Sequence, residues 1–232
     1  MARKLEQTIV NHFIEELLGK LIDSSTDSLQ YATTMYQLGV EFGNIICNEI
    51  KQASTITLAC TVEDADYLAK GILDILEQQN NKVFLTVFWN KRFKTGDEHG
   101  ISVAPIIREY HESGSNETNI LIILKSIIAN SCVVRTNLTK LIEESSPKEI
   151  LVVAPVLLKG AKENLEREFD GSISKRFRYL YFAEDDEKTK EGIVLPGIGG
   201  DVYKRLGFTG QEAKNRFTPS IVKERRYRNY HV

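Results

Sequence analysis

Two runs in this 232-residue chain, 119–124 and 149–154, are apolar at almost every position. A strand with one wetted face alternates polar and apolar residues. One that is apolar throughout is covered on both faces, as in a parallel sheet between helix layers. β-rich runs at 56–60, 82–89 and 177–182 have the length of strands. Segments with helical spacing lie between them: 65–79, with Tyr67, Leu68, Ile72, Ile75 and Leu76 on one side, then 137–144 and 161–169. Asn80-Asn81 breaks the first of these. The alternation predicts an α/β fold, a mostly parallel twisted sheet with helices on both faces. Such sheets bind ligands at the carboxyl ends of their strands, near a topological switch point. That draws attention to loops 61–66, 90–100, 125–135 and 154–160.

Helices are predicted ahead of the sheet. In residues 5–22, Ile9, Val10, Phe13, Ile14, Leu17, Leu18, Leu21 and Ile22 form one apolar stripe. It serves either to pack on the same fold or to contact another subunit. A polar stretch, 23–28, separates it from a second helix at 29–52, which Asp27 or Ser28 would cap. The expected division is an N-terminal helix and linker at 1–28, a main domain at 29–208 and a basic tail at 209–232.

Composition excludes some classes. With 42% hydrophobic and 27% charged residues and a formal charge of −2, the chain is not a wholesale nucleic-acid or membrane binder. No apolar run is long enough to span a bilayer, and the N-terminus has no secretory apolar core. Cys47, Cys60 and Cys132 are widely spaced, without C-x-x-C, and read as thiols in a reducing compartment. His12, His99, His111 and His231 are equally scattered, so no metal cluster is visible and none is expected. The expected location is cytoplasmic.

The most unusual stretch is 191–208, where Ile193-Val194-Leu195-Pro196 leads into Gly197-Ile198-Gly199-Gly200-Asp201 and the basic pair Lys204-Arg205. Proline fixes φ, and glycines permit positive φ and close backbone approach. Such a segment presents main-chain groups; it is either a tight turn or a binding loop.

Three patches together resemble the type I phosphoribosyltransferases, above all the uracil phosphoribosyltransferase branch. The glycine segment with Arg205 is similar to that branch's I-V-P-G-L-G-D-A-G-D-R, with one extra residue. Ala104-Pro105-Ile106-Ile107-Arg108-Glu109-Tyr110, a polar loop and 119–123 resemble P-V-x-Y-Y leading into the central strand. Leu151-Val152-Val153-Ala154-Pro155 resembles V-V-A-A-P. The resemblance implies transfer of ribose 5-phosphate from phosphoribosyl diphosphate to a base nitrogen, with Mg2+ as cofactor. It assigns base recognition to Pro196, Gly197, Ile198, Gly199 and Asp201. Phosphate binding falls on Ala129, Asn130, Ser131 and Cys132, and the pyrophosphate side on Glu63, Asp64, Lys91 and Arg92.

The chain departs from that pattern on the phosphate side. Lys125 stands where the family has its ribose-binding aspartate, and Ser131 and Cys132 stand where it has glycines. Arginine and glycines after the first core strand are replaced by Thr61-Val62-Glu63-Asp64-Ala65-Asp66. These carboxylates would repel pyrophosphate unless a metal intervened; otherwise they favour a helix N-terminus. Two function classes follow. One is a transferase, or a binder of nucleobase, nucleotide or phosphoribosyl diphosphate. The other is a degenerate relative that senses a ligand or assembles with partners, including further copies of itself.

From Lys204 onward, eight Lys/Arg face two Glu, a net +6 that leaves −8 on the rest. Phe217, Tyr227 and Tyr230 are interleaved with them. This tail would dock on the chain's own acidic body or another subunit, or bind nucleic acid through phosphates and bases.

Overall fold

The computed structural model describes residues 2–50, 54–79, 81–94 and 102–228. Its main sheet contains β1 (Arg3–Leu5), β2 (Thr55–Thr61), β3 (Lys82–Asn90), β4 (Ile106–His111), β5 (Ile120–Leu124), β6 (Glu149–Leu158) and β7 (Phe177–Asp185). They run in the order β1-β7-β6-β5-β2-β3-β4. β7, β6, β5, β2 and β3 pair in parallel, while β1 and β4 close the two edges antiparallel. The fold is therefore α/β with a mostly parallel sheet, as predicted. The switch point lies between β2 and β5, whose ends are in register at Cys60 and Leu124.

Period-two alternation divides the side chains between two layers. Leu58, Val87, Ile122 and Val153 join a core with α1 (His12–Ile22), α2 (Ser28–Glu49) and α3 (Lys70–Gln78). Ala59, Phe88, Ile123 and Val152 face α4 (Cys132–Glu144) and α5 (Ala161–Glu166). α2 and α3 touch backbone to backbone, because a Cβ on Gly71 would lie 2.3 Å from the Tyr36 carbonyl oxygen.

The N-terminus differs from the single helix expected over 5–22. Arg3–Leu5 is an edge strand opposite Ala183–Asp185, and α1 starts only at His12, where the Asn11 side chain accepts the Ile14 N–H. Periodicity missed the break because Ile9 and Val10 pack partly against the same core that α1 covers. Asp27 caps α2 with a full capping box, and that helix ends at Glu49. The segment 104–110 supplies β4.

The tail packs on the body, so the first and last of the three expected segments both share the central domain's core. Ile221 and Val222 of α6 (Ser220–Arg228) are buried in the same cluster as α1 and α2. Asp66 accepts the backbone N–H groups of Ser220 and Ile221. Arg225, 4% exposed, pairs with Glu77 and Glu112. Part of the tail's charge is thus neutralised by the acidic body, and Lys223, Arg226 and Arg228 stay exposed. His99, Tyr230 and His231 lie outside the described residues, as does the end of the 90–100 loop.

Candidate functional site

The loops that leave the carboxyl ends of β2, β3 and β5 enclose a cleft of about 450 Å³. Thr61 at the end of β2 and Glu63 just after it line the cleft, as do Asn90 at the end of β3 and Arg92 after it, and Lys125 and Ile127 after β5. The opposite wall is built by Glu191, Ile193 and Gly200–Lys204, and Gln211 and Lys214 close one side. The cleft sits at the switch point, where a doubly wound sheet opens.

Its floor is a buried charge cluster. Lys125 Nζ lies 2.8 Å from Asp64 Oδ2 and 3.3 Å from Glu63 Oε1, and it donates to Ser126 Oγ. Lys214 Nζ lies 3.4 Å from Glu63 Oε2 and donates to the Asn90 carbonyl. Thr61 Oγ1 donates to Asp64 Oδ2 at 2.7 Å. Burial by itself pushes the Glu63 carboxyl up, but Lys125 and then Lys214 overcome it and hold the group at about 2. Burial lowers Lys125, and Asp64 and Glu63 more than reverse that.

Glu63 therefore ties stability to acid. Its folded pKa lies below the ordinary 4.5, so its contribution is complete above that value and disappears as pH falls towards 2. Urea midpoints measured from pH 6 to pH 3 should decline for the wild type, with a shallower decline for Glu63→Gln. Equal slopes would show that Glu63 carries no such linkage.

The cluster does not fit Mg2+. A hard divalent cation needs several free oxygens, and here ammonium groups occupy the carboxylates. Among the described residues no group of three His, Cys, Asp or Glu is placed to hold a metal. The acidic loop binds the chain's own lysines, and Asp66 holds α6. Glu63, Asp64 and Asp66 stand in the first turns of the helical segment after β2, as the helix-terminus reading expects, and they bind these partners as well.

The glycine segment follows a short hairpin, Glu187–Lys188 against Val194–Leu195, and enters through a cis Leu195–Pro196 bond. Gly197 (φ +59°) donates its N–H to Asp185 Oδ2, and its carbonyl accepts from Arg3, which also clamps Asp185 through two 2.8 Å hydrogen bonds. The Ile198 carbonyl accepts from the buried Tyr31 hydroxyl. A Cβ on Gly199 would meet the Leu21 carbonyl oxygen at 2.2 Å. The backbone of Gly197 and Ile198, expected to face a base, is turned to β1, β7, α1 and α2 instead. Arg205 is drawn the same way, donating to the Leu21 and Asp23 carbonyls and lying over the Tyr31 ring.

Of the expected base-side residues Pro196, Gly197, Ile198, Gly199 and Asp201, only Asp201 lines the cleft. It is joined there by Gly200, Tyr203 and Lys204. Lys204 lies 2.9 Å from Asp201, and burial pushes the Tyr203 hydroxyl up.

Residues 129–132 lie beside the cleft. After Lys125 and Ser126 the chain extends as Ile127–Ile128, pairing with β6 at Val156 and Leu157. Ser131 and Cys132 are buried at the start of α4 and Asn130 is exposed; Val133 is the first residue of that helix to line the cleft. On the pyrophosphate side Glu63 and Arg92 line the cleft. Asp64 lies beneath it, and Lys91 is set over the Phe93 ring. Lys214, Gln211, Tyr203 and Asn90 were not anticipated. Phe208 and Phe217, in edge contact in the structure, flank Gln211 and Lys214 and were the available sign that this stretch docks.

No protein-family model matches the chain, and no curated protein matches it. Solved structures do. The chain is similar to the AQ2163 protein from Aquifex aeolicus at a TM-score of 0.65 and 16% identity, over 87% of this chain and 97% of that one, which shows a shared fold. It also matches adenine phosphoribosyl transferase from Trypanosoma brucei, in complex with AMP, pyrophosphate and ribose-5-phosphate, at 0.46 and 12% identity, over 82% of this chain and 76% of that one. A hypoxanthine phosphoribosyltransferase from Staphylococcus aureus matches at 0.40 and 12% identity, over 66% and 74%.

Proposed function

We propose that this chain is a phosphoribosyltransferase-like binding protein that holds a nucleobase or nucleotide in the cleft and does not transfer ribose phosphate. The observation that carries this reading is the buried cluster of Lys125, Glu63, Asp64 and Lys214. Transfer from phosphoribosyl diphosphate needs a cationic clamp for the leaving pyrophosphate and a cradle of N–H groups for the 5′-phosphate. Glu63 and Asp64 occupy the loop where the resemblance expects the clamp. Lys125, a donor, replaces the carboxylate that would accept the ribose hydroxyls. The wall from Gly200 to Lys204 keeps groups suited to a base: a tyrosine ring for stacking, a carboxylate as acceptor and a lysine as donor. A uracil-like base is the first candidate because the sequence patterns are nearest to that branch.

The test is calorimetric titration of UMP, uracil and phosphoribosyl diphosphate, with and without Mg2+, alongside an assay of pyrophosphate release. UMP or uracil should bind, with no pyrophosphate released above background. Turnover like that of an ordinary transferase would instead make this an active enzyme, and failure of all three to bind would remove the cleft as a nucleotide site.

A further inference from the structure

The C-terminal segment does more than cover the sheet edge, because two of its residues form part of the cleft. Gln211 accepts the Arg92 backbone N–H at 2.7 Å and so fixes the short helix Gln211–Arg216 against the end of β3. Three residues on, Lys214 is 5% exposed and its ammonium faces the cleft. That ammonium has three N–H donors. Among the described residues its contacts are long: 3.3 Å to the Asn90 carbonyl, 3.4 Å to Glu63 Oε2 and 5.9 Å to the Tyr203 ring centre.

Lys125 is better served, with contacts at 2.8, 3.1 and 3.3 Å, and Lys204 has Asp201 at 2.9 Å. Glu63 Oε2, buried below Lys214, has no hydrogen bond among the described residues. A nearly buried cation with loose partners gains a shorter, charge-assisted bond when an anionic group enters beside it, and here that bond has to outweigh the repulsion of the ionised Glu63 carboxylate, 3.4 Å from the same ammonium.

We propose that Lys214 is a ligand-contacting cation delivered by a C-terminal strap, so that ligand binding and strap docking reinforce each other. This rests on the cleft being a nucleotide site, as proposed above, and identifies the phosphate of a nucleoside monophosphate as the group Lys214 meets. The strap is held elsewhere by independent contacts. The Phe217 carbonyl accepts from Trp89 Nε1 at 2.8 Å and from Arg108, and Asp66 caps α6. Coupling between the strap and the ligand is reciprocal by linkage.

The probe is UMP, followed by calorimetry and by amide hydrogen exchange of 214–228 in the full chain. With UMP at ten times its Kd, exchange in the strap should slow about tenfold if the undocked form does not bind. Amides of α5, on the other sheet face, serve as the control and should change much less. Lys214→Gln should weaken UMP about tenfold and abolish the added strap protection, and Lys214→Arg should retain both. Emission from Trp89, the chain's one tryptophan, reports whether each variant still docks the strap.

UMP binding with unchanged strap exchange overturns the inference and leaves the proposed function standing. Unchanged affinity in a folded Lys214→Gln does the same. If neither UMP nor inorganic phosphate binds, the inference falls, and the proposed function falls with it only when uracil and phosphoribosyl diphosphate also fail to bind. Should the glutamine variant not fold, the wild-type exchange experiment decides alone.

Discussion

Replacing Lys125 with alanine is expected to destabilise the fold by about 3–5 kcal/mol, the usual consequence of stranding a buried charge without its partner. Lys125 is 7% exposed and is the shared counter-ion of Glu63 and Asp64. Without it the cluster holds two carboxylates against Lys214 alone. The loss should appear as a lower urea midpoint with an unchanged slope. The double variant Lys125→Met, Asp64→Asn removes one charge of each sign and should recover most of the loss, because Lys214 keeps Glu63 as its partner and the cluster stays neutral. A single alanine variant as stable as wild type would mean that water reaches the cluster and screens it. This experiment also separates two roles for Lys125. If the lysine is chiefly structural, the double variant folds and still binds UMP.

Gly71→Ala is expected to be destabilising by about 1–3 kcal/mol, a reversal of the ordinary helix preference. At an exposed helical site, alanine in place of glycine stabilises by roughly 0.8–1 kcal/mol. Gly71 lies where α3 presses on α2, and its added Cβ would sit 2.3 Å from the Tyr36 carbonyl oxygen and 2.7 Å from the Val40 nitrogen. Both obstacles are backbone, so relief requires the helices to separate. Gly19, on α1, has nothing within 4 Å of such a Cβ and provides the contrast. Gly19→Ala should raise the thermal midpoint while Gly71→Ala lowers it. Two shifts of the same sign would show that propensity, rather than helix contact, governs both positions.

The sheet was legible because its physics is local. The runs at 119–124 and 149–154 could be covered on both faces only in a layered α/β fold, and they became β5 and the first part of β6. The edges were not legible. β1 is three residues long and is held by Arg3 reaching Asp185, a contact across 182 positions that periodicity does not register.

The site was half legible. Three of the loops named by the switch-point rule border the cleft, where Glu63, Arg92 and Asp201 meet, while 154–158 continues β6 instead of forming a loop. The glycine motif misled about direction. Glycines announce close backbone approach, and the approach here is to Leu21, Val194 and the Asp185 carboxylate. The tail's docking is among the expectations, but Lys214's place in the cleft is not legible, because a lysine's burial depends on partners that the local sequence does not display.

The clamp of Arg3, Asp185 and Gly197 has a consequence for how this cleft can diversify. The curve of the glycine segment is set by contacts on its far side, with the N-terminal strand and helices. Side chains on the near side, Asp201, Tyr203 and Lys204, contribute little to that shape. Lineages could exchange them while inheriting the same wall unchanged.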